Sequence, residues 1–413
     1  MDYNRILKIT ADAKYMFNGN QVIVFNRTNR QWLKISKECY DILMLYNGKH
    51  TIKTLMENLA DDEDRSYLKK VLEALSDMKI LGEKTKRKLN DVSFAISNRC
   101  NLSCKHCMVN AESCSVSECF NTEQIKICLK KIVDANPEII VITGGEPLVR
   151  KDFAEIISYL RKIFNGKISL MTNGTLINET NVNLICECVD NISISLDGAN
   201  EETVSLIRGK GVLEKVKNAI NLLHKNNYSA ISLSMVITAD NALYVDDFFA
   251  LCDELKCKPL LRALSLTGQA EKNKKLLTTK QLAKEGSDVI ANTDERKERQ
   301  TFYTCSCDAG ATTLTIEKDG GIYPCNLFVE PQYCLGNILD IKNIDTILQK
   351  RETEFISDCL KEYEPDRVPE CKDCNISYFC WSCLHEIKDL KESGMLRDRC
   401  KIYKKYLQKI WEE

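Results

Sequence analysis

Cysteine constrains this chain more than any other residue. There are 21 cysteines in 413 residues, and ten of them fall after residue 300. In a short secreted protein such a load reads as disulfides; in a chain of this length it reads as metal or redox ligands. An odd count also forbids complete pairing within the chain. The cysteines are grouped rather than scattered. Cys100, Cys104 and Cys107 form C-x3-C-x2-C. Cys371, Cys374, Cys380 and Cys383 form C-x2-C-x5-C-x2-C, with Cys400 sixteen residues further on. Cys307 and Cys325 flank twelve residues, Gly320 and four more.

Charge and hydropathy narrow the class. Lys+Arg 58 against Asp+Glu 59 leaves a net charge of -1, which argues against a nucleic-acid partner, since holding that backbone needs clustered positive charge. At 44% hydrophobic and 28% charged the composition is globular. No apolar run reaches the ~18–20 residues that span a bilayer. The start, Met1-Asp2-Tyr3-Asn4, lacks a signal peptide. The expectation is a cytoplasmic protein with no membrane partner.

Four segments follow from periodicity. Residues 1–88 open with a hairpin signal at Asn18-Gly19, the β-rich run Val22–Phe25 and a second strand over Gln31–Ile35. Ser36 can cap a helix through Leu45, closed by Asn47-Gly48, and a short helix is expected near 51–60. Leu68, Val71, Leu72, Leu75 and Met78 recur at helical spacing. This is a winged-helix outline, whose plainest reading is a DNA-binding module; the neutral charge weakens that reading. Lys84 to Lys88 reads as a linker.

Residues 89–265 alternate strand and helix. Strands are expected at Val92–Ile96, Ile139–Thr143, Ile168–Met171, Ile192–Leu196, Ser232–Ile237 and Leu260–Ala263. Six βα units imply a parallel sheet, either doubly wound or rolled into a barrel or partial barrel. Both place active residues just after strand C-termini. Residues 266–300 read as a connecting helical segment. Residues 301–413 are Cys-rich, with too few apolar residues for a large core of their own, so metal is expected to hold them.

Three thiolates in the loop Cys100–Cys107 can ligate three irons of a [4Fe–4S] cube and leave the fourth iron open. Zinc prefers four ligands, which makes this loop a poor zinc site. A C-x3-C-x2-C loop after the first strand of a βα barrel resembles the radical S-adenosylmethionine (SAM) family. The resemblance extends to the ends of later strands. Gly144-Gly145-Glu146-Pro147 is similar to that family's GGEP motif. Thr172-Asn173 follows the third strand, Ser195 and Asp197 flank the end of the fourth, Arg208 comes after it, and Thr238 ends the fifth. The family likeness implies a partial (β/α)6 barrel in which Cys100, Cys104 and Cys107 hold the catalytic cluster. It implies that Glu146 with the neighbouring backbone holds the SAM amino group, that Ser195 and Asp197 meet ribose, and that Arg208 pairs with the SAM carboxylate. His106 stands where many members have an aromatic residue, and can stack on adenine.

The C-terminal cysteines resemble the SPASM extension of radical SAM peptide-modifying enzymes, which carries two auxiliary [4Fe–4S] clusters. Taken alone, Cys371-x2-Cys374 and Cys380-x2-Cys383 also make a zinc knuckle pair. Carried over position by position, Cys371, Cys374, Cys380 and Cys400 hold one cluster, and Cys307, Cys325 and Cys383 the other. The family's last gap is three residues and here it is two. Cys305 is available as a fourth ligand for the second cluster, and so is an open iron free to take a substrate thiolate. The remaining cysteines read as buried or reduced thiols.

With these two domains, the N-terminal module resembles the recognition element of enzymes that mature ribosomally made peptides, where a leader adds a strand to the sheet edge and packs along the third helix. The implied protein uses three [4Fe–4S] clusters and SAM, takes electrons from a flavodoxin or ferredoxin, and acts on a Cys-containing precursor peptide. The expected product is a thioether of the sactipeptide or ranthipeptide kind. Alternatives are a carbon–carbon crosslink or another oxidative peptide change, a sulfatase-maturing enzyme, and a redox-sensing winged-helix regulator.

Overall fold

The computed structural model describes residues 2–82, 88–278, 302–305, 307–349, 358–381 and 383–412. Most of the expected linker at Lys84–Lys88, and residues 279–300 of the connecting segment, lie outside them. The chain forms two compact units, Met1–Arg87 with Arg299–Asp308 and Glu352–Glu413, and Lys88–Glu298 with Ala309–Arg351. Among the described residues no helix is long and apolar enough to cross a membrane.

The first unit begins with an antiparallel sheet of β1 (Ala13–Asn18), β2 (Gln21–Asn26) and β3 (Trp32–Ser36), in that order. Gly19, at φ +55°, turns the chain where a side chain would strain the backbone, so Asn18 pairs with Gln21. Three helices follow, each started by a side chain that accepts an otherwise orphaned backbone N–H. Ser36 caps α1 (Lys37–Tyr46), Thr51 caps α2 (Ile52–Glu57) and Asp61 caps α3 (Asp62–Asp77). Val24 and Ile35 from the sheet meet Leu43, Leu55, Leu68, Val71, Leu72 and Leu75 in one core.

The opposite face of β2 packs elsewhere. Met16, Ile23 and Phe25 join Ile376, Tyr378, Phe379, Leu407, Ile410 and Trp411 in a second core. The two faces of one strand thus serve two cores, as the alternation of side chains along a strand allows. Arg27 and Glu364, 337 positions apart, form a buried ion pair at 2.7 Å, and Trp32 Nε1 donates to the Phe302 carbonyl at 2.7 Å.

In the second unit, β4 (Asp91–Ser97) is followed by a short parallel pair, β5 (Arg99–Cys100) and β6 (Glu112–Ser113). Helices and strands then alternate: α4 (Thr122–Asp134), β7 (Ile139–Gly144), α5 (Phe153–Ile163), β8 (Lys167–Thr172), α6 (Val182–Cys188), β9 (Asn191–Ser195), α7 (Glu201–Arg208), α8 (Val212–Lys225), β10 (Ile231–Val236), α9 (Val245–Glu254) and β11 (Lys258–Arg262). Strands β4, β7, β8, β9, β10 and β11 are parallel neighbours in that order, the sheet of a partial barrel. Their near-continuous apolar runs, such as Ile139-Ile140-Val141-Ile142, suit strands covered on both faces.

The sheet does not end at β4. Strand β12 (Thr313–Ile316) pairs with β4 in parallel, and β13 (Gly321–Tyr323) and β14 (Gly336–Asn337) extend it antiparallel to nine strands. Leu314, Ile316, Ile322, Ile338, Ile344 and Ile347 enter the barrel's own core. The Cys-rich segment therefore has apolar packing on both of its parts, in two different cores.

Candidate functional site

The loop from Cys100 to Cys107 starts at the last residue of β5, just after barrel strand β4. Two glycines hold its first end, Gly144 closing β7 and Gly145 following it. Gly145 N donates to Ser97 O at 2.8 Å and Glu146 N to Arg99 O at 2.7 Å. A Cβ on Gly145 would lie 2.3 Å from Arg99 O, and one on Gly144 2.4 Å from Ser97 O, so the approach requires glycine at both positions. Pro147 then opens a short 3-10 turn over Pro147–Val149. The loop's far end is held by residues from segments that carry no site motif. Lys105 N donates to Ile207 O at 3.0 Å, Asn273 Nδ2 to Lys105 O at 2.9 Å, and Gln269 N to Cys107 O at 2.8 Å. Gly268, at φ +59°, passes so close to Met108 O that a Cβ would sit 2.4 Å from it. Only that glycine could have flagged this clamp within an otherwise charged segment.

Glu146 is fully buried at the hub of the next layer. Its carboxylate accepts from Thr172 Oγ1 at 2.7 Å, Asn173 N at 2.7 Å and Leu148 N at 3.1 Å. Burial pushes its pKa up, and these donors oppose the rise. The glutamate thus ties the end of β7 to the end of β8. Asn173 Nδ2 donates to Asn101 Oδ1 at 2.9 Å and lies 3.8 Å from Cys100 Sγ.

Asp197 forms the second hub and is also fully buried. Oδ1 accepts from Val236 N at 2.7 Å, while Oδ2 stands 2.6 Å from His106 Nε2 and 2.5 Å from Arg208 Nε. Burial would raise this carboxyl, but Arg208, His106 and the Val236 amide outweigh it and hold it down at about 2. Arg208 Nη1 lies 3.8 Å from Cys104 Sγ. Asn241 supports the same point, donating to the carbonyls of Asp197 at 3.2 Å and Val236 at 2.9 Å. The contacts expected of Asp197 with ribose and of Arg208 with a carboxylate are, in this structure, made by the two residues to each other. A buried charge without a counter-charge is costly, and each is the other's nearest remedy. His106 is likewise turned onto Asp197. Ser195 is half-buried at the end of β9, and Thr238 is buried just past β10.

These residues fit a sulfur-ligated metal group with a polar ligand beside it. Three half-buried thiols share one clamped loop, an amide and a guanidinium are aimed at two of the sulfurs, and His106 Nδ1 and Thr238 Oγ1 are buried without a hydrogen-bond partner. Burial raises the Cys100 thiol to about 11, so at neutral pH this thiol is protonated and must lose its proton to ligate a metal.

In the first unit, Cys371, Cys374, Cys380 and Cys400 line one cavity of about 230 Å³ together with Ser377, Trp381 and Lys404. Burial raises Cys371 to about 11 and Cys380 to about 12. Among the described residues no three His, Cys, Asp or Glu side chains converge on a single-ion site. Cys383 lies outside the lining of this cavity, as the N-cap of helix Leu384–Glu392. Cys305 packs against the core of Phe25 and Tyr378, and burial raises its thiol to about 12. Cys307 belongs to this unit and Cys325 to the other. Of the cysteines given no ligand role, Cys39, Cys128, Cys188, Cys252 and Cys257 are buried, and Cys114, Cys119 and Cys334 are exposed.

Comparison with known proteins assigns this arrangement. The family model of the Radical SAM superfamily matches residues 94–252, and that of the SPASM iron-sulfur cluster-binding domain matches residues 305–375. The subtilosin biosynthesis protein AlbA of Bacillus subtilis is 25% identical over 398 residues, 86% of this chain and 84% of its own. The mycofactocin maturase MftC of Mycolicibacterium smegmatis is 26% identical over 300 residues, 68% of this chain and 74% of its own. The crystal structure of Streptococcus suis SuiB bound to S-adenosylmethionine superposes with a TM-score of 0.55 at 18% identity, covering 92% of this chain and 96% of that one. A radical SAM domain requires SAM and a [4Fe–4S] cluster, and a SPASM domain binds further iron–sulfur clusters, which accounts for two separate cysteine groups in one chain. With the C-x3-C-x2-C loop clamped at the mouth of a partial barrel and a second cysteine group beyond it, the chain carries a Radical SAM domain over residues 94–252 and a SPASM domain over residues 305–375.

Proposed function

We propose that this protein is a peptide maturase that binds the leader of a ribosomally made precursor and joins a Cys sulfur to a carbon of another residue. Two of its relatives bear the names of a maturase and of a bacteriocin biosynthesis protein, and a SuiB structure of the same fold contains a precursor peptide. The observation that carries the reading is the open edge of β3. Among the described residues no strand pairs with it on the side away from β2, and α3 lies alongside. An edge of this kind accepts an extended peptide by strand addition. It belongs to the same compact unit as the cavity of Cys371, Cys374, Cys380 and Cys400.

When bound, SAM supplies a carbon radical able to take hydrogen from an unactivated C–H bond. The chain's own residues hold and orient it. Cys100, Cys104 and Cys107 would hold the cluster, Asn173 and Arg208 place polar hydrogens near the sulfurs of Cys100 and Cys104, and the Gly144-Gly145 contact fixes the loop. Cys371, Cys374, Cys380 and Cys400 hold one auxiliary cluster, and Cys307, Cys325 and Cys383, with Cys305 or a substrate thiolate, hold the other. A flavodoxin or ferredoxin supplies the starting electron. The exposed edge favours a peptide over DNA as the partner of the N-terminal module.

Two experiments test this. Asn26 N donates to Gln31 O, so by antiparallel alternation the amides of Leu33 and Ile35 face β2 and that of Lys34 points outward. Lys34→Pro should therefore spare the sheet but block strand addition, weakening leader binding by about tenfold or more, for the loss of a backbone hydrogen bond and a steric clash. Binding measured by anisotropy with a labelled leader checks it, and unchanged affinity rules out this edge. Secondly, a short Cys-containing reading frame should adjoin this gene, and the peptide it encodes should lose about 2 Da per crosslink, two hydrogens. The loss should come with a matching block to thiol alkylation. The same mass loss with every thiol still alkylatable would exclude the thioether and favour a carbon–carbon link.

A further inference from the structure

Arg27 has no task in that reading, although it stands at the end of β2 in the module assigned to the leader. Its side chain is 1% exposed. Burying a guanidinium costs several kcal/mol unless its surroundings compensate, so those surroundings are informative. Nη2 donates to Glu364 Oε1 at 2.7 Å, and Nη1 donates to the carbonyl oxygen of Cys305 at 2.6 Å. The amide of Cys305 in turn donates to Tyr378 O at 2.6 Å, and the Tyr378 ring lies 5.8 Å from the guanidinium carbon. The guanidinium thus bonds directly to Cys305, two residues before Cys307. Packing alone does not call for a charge here, because Phe25, Tyr378, Phe379 and Trp411 already close the surrounding core.

We infer that Arg27 is a positioning residue for the auxiliary cluster that Cys307 helps to hold, and that its buried positive charge raises that cluster's reduction potential. The inference rests on the proposed function, in which an auxiliary cluster takes up one electron. That electron comes from the substrate carbon radical as the thiol sulfur bonds to the carbon and the thiol loses its proton. Reduction adds a negative charge to the cluster. A permanent cation in a poorly screened interior favours the reduced state, and cluster potentials respond to nearby charge and to hydrogen bonding. The cation is supplied by the N-terminal module, so the module that selects the peptide also tunes the electron acceptor.

The test uses the full chain, reconstituted anaerobically, with iron counted and auxiliary signals followed by electron paramagnetic resonance during a potentiometric titration. Glu364→Gln removes the opposing charge and should shift the potential upward. Arg27→Gln combined with Glu364→Gln removes both and should shift it below that of the single variant. The two should differ by at least about tenfold in the reduction equilibrium, about 59 mV for one electron. If the double variant does not fold, Glu364→Gln against the unsubstituted chain decides the question, since its Arg27 still has the Cys305 carbonyl. Equal potentials at equal iron content would overturn the inference. Iron near four per chain in the unsubstituted protein would instead remove the auxiliary clusters themselves, and the maturase reading with them.

Discussion

Replacing Cys100, Cys104 and Cys107 together by Ala should abolish SAM cleavage and lower iron from about twelve to about eight per chain, at about four per cube. The C-terminal iron should survive because none of its proposed ligands lies in the C-x3-C-x2-C loop, and the cavity of Cys371, Cys374, Cys380 and Cys400 belongs to a different compact unit. The loop itself should also keep its place. It is clamped by backbone contacts from Gly145, Glu146, Ile207 and Gln269 and by the Asn273 side chain, none of which involves a cysteine sulfur. Iron analysis and detection of 5′-deoxyadenosine on the same sample separate the two effects. A drop to zero iron would mean that the two cysteine groups load as one. Full iron with no cleavage would mean that the first cluster sits on other residues.

Asp197→Ala should destabilise the barrel by about 3–5 kcal/mol, the range for removing one partner of a buried ion pair. Arg208 would remain buried without its counter-charge, and the Val236 amide would lose its acceptor. Asp197→Asn keeps an oxygen for Val236 and should cost less. Both should also weaken iron retention at the first cluster, because Arg208 lies against Cys104 and His106 is flanked by Cys104 and Cys107. The pH dependence has a definite sign. The Asp197 carboxyl is held at about 2, below its ordinary 3.8. Its stabilisation is thus fully present above about pH 4 and is lost as pH falls toward 2. Urea unfolding of the metal-free chain at neutral pH measures the effect. If Asp197→Ala keeps the urea midpoint and only weakens SAM binding, the residue serves the cofactor and not the barrel.

Much of this molecule was legible before folding, and the particulars show why. The six barrel strands lie within one or two residues of their expected ends, because a run such as Ile139 to Ile142 flanked by helical periodicity has few alternatives. The caps at Ser36 and the turn at Gly19 depend on chemistry within four residues. The Cys100–Cys107 spacing expresses its own ligand geometry. Other features were hidden. Strand β12 lies in the Cys-rich segment, where four residues of Thr-Leu-Thr-Ile carry little periodicity by themselves. The clamp from Gly268 and Asn273 sits in a stretch whose composition is merely charged and helical.

The sequence by itself determined the chemistry available: which residues can ligate iron, where strands and helices begin, and that the fold places loops at strand ends. Those are local matters, settled by spacing, capping and side-chain periodicity over a few residues. The tertiary structure decided the partnerships. Arg27 meets Glu364 across 337 positions, Asp197 closes on Arg208 and His106, and the cysteine-rich segment divides its apolar residues between two cores. The physical reason is burial. Once a charge or an apolar face leaves water it must find compensation wherever the folded chain brings a partner, and no spacing rule in the sequence encodes that distance.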